Sequence, residues 1–600
     1  MSRITEIGEI ASVSGNTISV KLNDNIKSNM PVIDGVVYRL GQIGSFLKIP
    51  LGYANLYGIV TQIGASAIPD NMIEKLKNNF DSISNTQWLS MVLVGEQTGC
   101  KFDRGISQSP TTGDKVHLVT IADLDIIYGG YKDDTSITVG NISVSESLQA
   151  KIDLDKLVSR HCAIVGSTGS GKSNAVAVIL KAIVDKKYKN SRIFVIDPHG
   201  EYNSVLKNKS KVYKINARVG ENELYVPYWA LPFEELISIF SGNLTDQNKD
   251  YFREKVLEAK IKVNLDYNYG VANEVITAGA PIPFSLEHLW FDLDDFERQT
   301  FRVSRDPNTK TRITRQGDPL NLLSNIYEPA MAGGPFLNHQ AKSILSFLDS
   351  VRIKLKDSRY KFLFNPGEYK PDLTGRCRKD LSNLLFEWLG GDKPVTILDL
   401  SGIPSEIMTS ISGTLLKIVY DALFWGQNLK VGGKEQPLMI ILEEAHNYLK
   451  AGENSISSKT VQTIAKEGRK YGVGLMLATQ RPSELDETVL SQCGTIIALR
   501  MNNSKDRGHV RSAIQDELQT MIDLLPSLRT GECIVSGEAV KIPSRMKFFK
   551  ATNAPKSEDP KVSLKWNEDY NFTIEDYKQL TNCWRNQKLE GGEDANTTND

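Results

Sequence analysis

The 600-residue chain lacks an excess of charge of either sign: 71 lysines and arginines stand against 72 aspartates and glutamates, a formal net charge of −1. That excludes a protein coated in positive charge, so any nucleic-acid contact needs a local basic stripe such as a channel lining. Cysteine is scarce as well. The six residues, Cys100, Cys162, Cys377, Cys493, Cys533 and Cys583, contain no C-x-x-C pair and no Cys/His spacing, which excludes a zinc ribbon and a disulfide framework. No uninterrupted apolar run approaches the ~18–20 residues of a membrane span. The start, MSRITEIGEIASVSGN, has no basic–apolar–small secretion pattern. A reduced, cytoplasmic protein with no membrane segment is expected. What is present is ordinary globular composition, 40% hydrophobic and 24% charged, in a chain too long for one core.

Residues 1–150 read as short strands between turns, among them GEIASVSG, NTISVKL, NLYGIVTQIG, WLSMVLVGEQ and DKVHLVTI. Their alternation predicts a small antiparallel β-barrel, with DNMIEKLKNNF as a helical interruption. From residue 151 the pattern becomes strand, turn, helix. CAIV, RIFVID, VTILDL, PLMIIL, VGLMLAT and TIIALR are continuous apolar strands, the mark of a parallel sheet covered on both faces. The predicted class is therefore α/β. Its core is divided into residues 151–230 and 391–550 by a mainly helical insertion over 231–390, where LPFEELISIF, NKDYFREKVLEAKI and HQAKSILSFLDSVRIKLK have helical periodicity. Residues 551–600 form an extension with an amphipathic stretch, NFTIEDYKQLTNCWRNQ, and a polar end, LEGGEDANTTND, expected to be disordered.

The chemistry is densest where CAIV runs into a glycine turn. Gly166, Ser167, Thr168, Gly169, Ser170, Gly171, Lys172 and Ser173 match G-x-x-x-x-G-K-[ST] between an apolar strand and a helix. Such a loop turns backbone N–H groups around a polyphosphate, its lysine reaches the β/γ oxygens, and its final hydroxyl ligates Mg2+. ATP and Mg2+ are the expected ligands, with Asn174, the first residue beyond, counted in the binding loop. Arg160, just before the strand, either reaches a phosphate or remains a surface cation. PLMIILEEAHNY ends a buried strand in Glu443 and Glu444, at the edge where open α/β sheets bind ligands. Glu443 is assigned to Mg2+ through water and Glu444 to polarising the attacking water; two solvated carboxylates opening a helix are the alternative. His446 is either their neighbour or a packing residue. In RIFVIDPHGEY, Asp197 either orients a water or metal ligand or caps the turn, and His199 and Glu201 follow it. Gln480 ends another core strand, where an amide senses the γ-phosphate. Arg469, in the cluster Lys466, Arg469, Lys470, is either an arginine finger for a neighbour's nucleotide or a cation capping its helix.

Taken in order, SRHCAIVGSTGSGKSN, VIDPHGEY, VTILDLSGIP, LEEAHNYL, EGRKYGVGL, ATQRPSEL and GECIVSGEAVKIPSR resemble the HerA branch of the HerA/FtsK ring translocases, over most of the chain. The resemblance implies an N-terminal β-barrel, a RecA-like ATPase core with a helical bundle, and a homo-hexamer around double-stranded DNA. It places Lys172, Glu444 and Gln480 in the active site in cis and Arg469 as a finger in trans, with Glu443 standing where the family has aspartate. It also implies an effector partner, either a NurA-like nuclease or, in antiphage defence systems, a Sir2-like NAD-consuming enzyme.

RQTFRVSRDPNTKTRITRQ carries Arg298, Arg302, Arg305, Lys310, Arg312 and Arg315. Facing a pore, these residues would neutralise DNA phosphates without reading sequence; as a solvated loop they would do nothing specific. An ATP-driven DNA translocase and a nucleotide-switched scaffold that activates an effector need the same ATP site, so both functions remain open. A monomeric small-molecule kinase leaves the barrel and the insertion without a role.

Overall fold

The computed structural model describes residues 5–23, 32–33, 36–37, 43–64, 87–143, 145–217, 221–240, 244–453, 455–514, 519–555, 562–569 and 572–586. The expected helix at DNMIEKLKNNF and the polar end LEGGEDANTTND lie outside the described residues.

Alternating apolar residues build the N-terminal barrel from β1 (Glu6–Ser14), β2 (Thr17–Leu22), β3 (Phe46–Pro50), β4 (Asn55–Gly64), β5 (Trp88–Thr98), β6 (Lys101–Arg104) and β7 (Lys115–Leu118). The sheet order is β2-β1-β7-β3-β4-β5-β6, and a β2–β5 pairing closes the ring. Closure leaves few free edges. Ile10, Ile18, Val20, Ile49, Leu56, Val60, Leu89 and Met91 belong to a hydrophobic cluster separate from the rest of the molecule. Helix α1 (Ile121–Tyr128) leads out, opened by a reciprocal Thr120–Asp123 capping box.

The barrel ends earlier than residue 150. Strands β8 (Ser136–Ile142) and β9 (Ser145–Asp153) pair with each other, and β8 pairs with a strand more than 400 residues later. Alternation such as SITVGNI marks a strand but carries no information about its partner, so the sequence boundary falls too late.

The remaining strands are β10 (Cys162–Val165), β11 (Arg192–Asp197), β12 (Ser210–Lys214), β13 (Asn222–Glu223), β14 (Val395–Asp399), β15 (Leu438–Leu442), β16 (Val473–Thr479), β17 (Thr495–Leu499), β18 (Glu532–Gly537) and β19 (Ser544–Phe548). With β8 and β9 they form a 12-stranded sheet in the order β9-β8-β19-β18-β17-β10-β16-β15-β11-β14-β12-β13. The run from β17 to β13 is parallel, and β18, β19, β8 and β9 add an antiparallel margin. Every residue of β10, β14, β15, β16 and β17 is buried, as the unbroken apolar runs require. Helices α2 (Leu154–Ser159) and α3 (Lys172–Asp185) flank β10.

The insertion contains α4 (Phe233–Ile239), α5 (Asp246–Tyr267), α6 (Leu286–Arg298), α7 (Leu345–Lys356) and α8 (Leu381–Leu389). The polar connection between α6 and α7 is not wholly irregular: Thr300–Phe301 pairs with Phe336–Leu337, and Ile313–Arg315 with Ile326–Tyr327. Helix α9 (Ser405–Trp425) is, among the described residues, the one helix long and apolar enough by composition to cross a membrane. Here Ile411, Leu415, Leu416, Val419 and Leu423 bury it in the protein core. Helix α10 (Ile456–Glu467) leads to β16, α11 (Ser504–Ala513) follows β17, and α12 (Ile574–Asn586) lies in the C-terminal extension.

Candidate nucleotide site

Strand β10 delivers the chain to Gly166 at the carboxyl edge of the sheet, and the glycine turn carries it into α3. Gly169 and Gly171 have φ of 71° and 99°, left-handed conformations that L side chains rarely adopt. A Cβ on Gly166 would lie 2.6 Å from Ser170 Oγ and 2.9 Å from Leu499 Cβ. The turn is suspended from neighbouring strands: Ser167 donates its N–H and hydroxyl to the Arg500 carbonyl at 3.0 and 2.9 Å, and Gly531 N donates to Ser170 O at 2.9 Å. No side chain caps α3, so its first N–H groups remain available to an anion.

Parallel register brings the other groups to this edge. Val165 is level with Thr479, and Leu442 with Leu477, so the residues after β15 and β16 flank the glycine turn. Glu444 sits at φ 46°, ψ 49°, a left-handed conformation that costs a non-glycine residue on the order of 1 kcal/mol or more. Lys172, 5% exposed, donates its ammonium to both Glu443, 1% exposed, and Glu444, the latter at 2.9 Å. Gln480 Nε2 donates to Glu444 Oε1 at 2.5 Å, and the Thr168 hydroxyl donates to Gln480 Oε1. His446 Nδ1 lies 3.2 Å from Glu444 Oε2 and 3.1 Å from the Thr479 hydroxyl, which places His446 beside the carboxylate.

The electrostatics follow. Burial pushes the Glu444 carboxyl up, but hydrogen bonds from His446, Lys172 and Gln480 and the Lys172 charge outweigh it and hold the group near about 2. Burial prevails at Glu443, whose carboxyl is raised despite Lys172. Burial also works against the Lys172 ammonium, but its two carboxylates prevail and keep it charged. Ser170 Oγ and Glu443 Oε2 are buried with no hydrogen-bond partner among the described residues. Unsatisfied buried polar atoms around a glycine turn with open N–H groups suit a phosphate chain and its divalent ion. Among the described residues no cluster of His, Cys, Asp and Glu is built to hold a metal alone. The oxygens present, the Ser173 hydroxyl and the Glu443 carboxylate, suit Mg2+, which keeps several waters and shares substrate phosphates.

Two family descriptions match this architecture: "Helicase HerA, central domain" over residues 137–419 and "Helicase HerA-like C-terminal" over residues 403–562. The chain belongs to the HerA-like ATPases. The DNA double-strand break repair helicase HerA of Pyrococcus furiosus is 26% identical over 458 residues, 73% of either chain. The protein of the same name from Sulfolobus acidocaldarius is 24% identical over 519 residues, 85% of this chain and 89% of the relative. Among solved structures, VirB4 of Thermoanaerobacter pseudethanolicus aligns with a TM-score of 0.45 at 13% identity, over 71% of this chain and 99% of its own. Plasmid coupling protein TrwB in complex with ADP and Mg2+ aligns with a TM-score of 0.42 at 12% identity, over 73% and 94%.

In this HerA-like ATPase several residues expected at the site are elsewhere. Asn174 is not free for nucleotide: its amide donates to Phe549 O and accepts from Ala551 N, each at 2.8 Å, clasping the segment after β19. Arg160 precedes β10 and so lies at the opposite edge from the glycine turn. Its Nε is 3.4 Å from the Glu538 carboxylate, and at roughly 3.3 Å per strand residue it does not reach a phosphate of its own protomer. Asp197 has both oxygens occupied, accepting from His199 N at 3.2 Å and from Gly200 N and Tyr202 N at 2.9 Å. Of its two expected roles, geometry supports the turn cap. Burial, with Asp399 and Glu443 nearby, raises its carboxyl to about 7.

Arg469 is exposed in the Gly468–Tyr471 turn at the start of β16, the far end of that strand from Gln480. The separation is on the order of 20 Å. With Lys470, Arg192, Lys434 and Tyr188, Arg469 lines a recess of about 670 Å³. Of the basic run, Arg298 donates through Nε to the buried Asp294 at 2.8 and 2.9 Å, a pairing that offsets its charge. Arg302, Arg305, Arg312 and Arg315 are exposed, and Lys310 rests 5.1 Å from the Tyr327 ring.

Sequence reasoning missed Arg500, whose guanidinium donates to Gly169 O at 3.3 Å. It also missed Asn503 and Asp506, which with Ser167, Thr168, Gln480 and Arg481 line a recess of about 410 Å³ beside the turn. No local signal marked them: only the parallel register, in which Val165 is level with Ala498 of β17, sets Ser167 beside Arg500, each two residues further on.

Proposed function

We propose that this ATPase works as a hexameric ring that drives double-stranded DNA toward an effector, a nuclease or an NAD-consuming enzyme, in DNA end processing or antiphage defence. One observation carries the ring: each protomer holds Lys172, Glu444 and Gln480 at one edge of the sheet and exposes Arg469 at the other. Both sets cannot serve one nucleotide within a protomer, but adjoining copies bring them together. Lys172 then exchanges its carboxylates for the β/γ oxygens, which removes one interaction holding Glu444 acidic. Glu444, positioned by Gln480 and His446, orients the attacking water. Ser173 would hold Mg2+ and Glu443 would hold it through water, and the ion so held would supply neutralisation of the triphosphate's charge. Arg469 of the adjoining copy stabilises charge developing in phosphoryl transfer. Asp197 shapes its turn. Arg302 and Arg305 offer sequence-independent phosphate contacts, and relatives named as DNA double-strand break repair helicases favour DNA as the track.

Complementation tests the shared site. Glu444→Gln and Arg469→Ala proteins should each be inactive alone and regain part of the ATPase rate when mixed, because a mixed interface restores both groups. Mixtures as inactive as their components would sink the shared site, and a monomeric mass for fully active protein would sink the ring.

A further inference from the structure

The segment Asp197–Tyr202 contributes no reacting group to the scheme above, yet it is folded tightly against the nucleotide edge. Asp197 gathers the N–H groups of His199, Gly200 and Tyr202. Gly200 has φ 69°, and a Cβ there would fall 2.8 Å from the Asp399 carboxylate. Asp399 is itself fixed by Asn203 Nδ2 and the Ser401 hydroxyl, both at 2.6 Å. Tyr202 is fully buried beside Ser173 and Glu443. Ile196, just before this turn, is level with Leu442 and accepts from Glu443 N at 3.1 Å, so the turn that carries Glu201 lies beside Glu443 and the two carboxylates are within reach of each other's charge. Glu201 Oε2 is buried without a hydrogen-bond partner among the described residues, as is Oε2 of the almost wholly buried Glu443.

Two shielded, partnerless carboxylate oxygens on neighbouring side chains, one of which is almost wholly buried, are costly unless a donor or a cation arrives. Ser173, the hydroxyl that ligates metal in such a loop, lies beside the same Tyr202. Mg2+ held by phosphates retains several water ligands, and those waters need acceptors.

We propose that Glu201 is a positioning carboxylate for the nucleotide's divalent cation, accepting hydrogen bonds together with Glu443 from the metal's water ligands. The inference rests on the ATP site as read above. It gives the whole Asp197–Tyr202 turn a purpose: Asp197 and Gly200 set the curvature, Tyr202 anchors it, and Glu201 is what it delivers.

The test is equilibrium binding of a fluorescent ATP analogue to the full chain, titrated with Mg2+ and repeated in EDTA, with Mn2+ affinity of the ADP complex read by electron paramagnetic resonance. Glu201→Gln should bind the metal-free analogue at least as well as the parent, since one negative charge near the phosphates is gone. It should need about tenfold more Mg2+ for half-maximal gain in affinity and bind Mn2+ about tenfold more weakly, the range for removing an outer-sphere partner. Gly200→Ala, which keeps the carboxylate and strains the turn, should shift both readouts the same way. A Glu201→Gln protein with parental melting temperature and unchanged metal requirement would overturn the proposal and leave Glu201 a water-satisfied surface carboxylate. Should that variant not fold, Glu201→Asp takes its place, and an unchanged metal requirement would overturn the proposal equally. Absence of nucleotide binding by the parent protein would instead indict the ATP site itself.

Discussion

Two lysines are buried among the described residues, one at the nucleotide edge and one in the helical insertion, and they are held in opposite ways. Lys172 sits between two carboxylates. Lys260, 1% exposed, faces no acid: its ammonium donates to Ala278 O at 2.8 Å and Ala280 O at 2.5 Å, and lies 5.3 Å from the Phe284 ring. Burial pushes Lys260 down to about 7, while the carboxylates keep Lys172 charged. Carbonyls tie a lysine to a backbone and offer nothing to exchange. Carboxylates hold a charge ready for a ligand of their own sign. Burial alone therefore does not mark a functional lysine; its partners do.

Lys172→Ala should break the comparison most visibly. Turnover and nucleotide binding should vanish, and urea unfolding should show a loss of about 3 kcal/mol, because two buried carboxylates lose their cation. Lys260→Met, by contrast, should leave the ATPase rate per folded molecule intact. Glu444→Gln comes next: turnover should fall by about 10²–10⁴ while ATP stays bound, and retention of normal turnover would contradict its assigned role. The third prediction concerns pH. Folded Lys260 releases its proton near pH 7 and the unfolded chain near 10.5, so between those values the unfolded chain binds more protons and this lysine's contribution to stability rises with pH. Urea unfolding at pH 7 and 9.5 should show parental stability gaining on Lys260→Met, and a constant gap would refute the assignment. The smallest effect belongs to Asn174→Ala. Losing its clasp on Phe549 and Ala551 should cost about 1 kcal/mol and leave nucleotide affinity unchanged, whereas a weakened affinity would return Asn174 to the binding loop.

The ATP site was readable in the sequence to the extent that its groups are consecutive or end a buried strand. Gly166 to Ser173 is one loop, and Glu444 and Gln480 each follow an unbroken apolar run. The errors have a common cause. Asn174 is only one residue beyond the loop's serine, but helix geometry turns it toward the segment after β19. Arg160 is six residues before Gly166 yet lies at the other edge, because an extended strand intervenes. Arg500 is far from the loop in sequence and adjacent in space, since parallel register aligns strand ends. Arg298 reads as one cation in a basic run, but it ends helix α6, where Asp294 one turn before it is its partner; only the burial of that partner is tertiary. The residue-150 boundary failed similarly: β8 is legible as a strand, whereas its pairing with β19 is a long-range choice.

The sequence by itself determined the α/β class, the glycine turn before α3 and the acids that end β15, because each rests on local rules: strand burial, glycine conformation and helix start. Only the tertiary structure decided which sheet edge each charge occupies, which carboxylates share Lys172, and that Asp197 folds a turn that presents Glu201. Those outcomes depend on which strands lie side by side, and hydrogen-bond register between distant segments is written in no single stretch of chain.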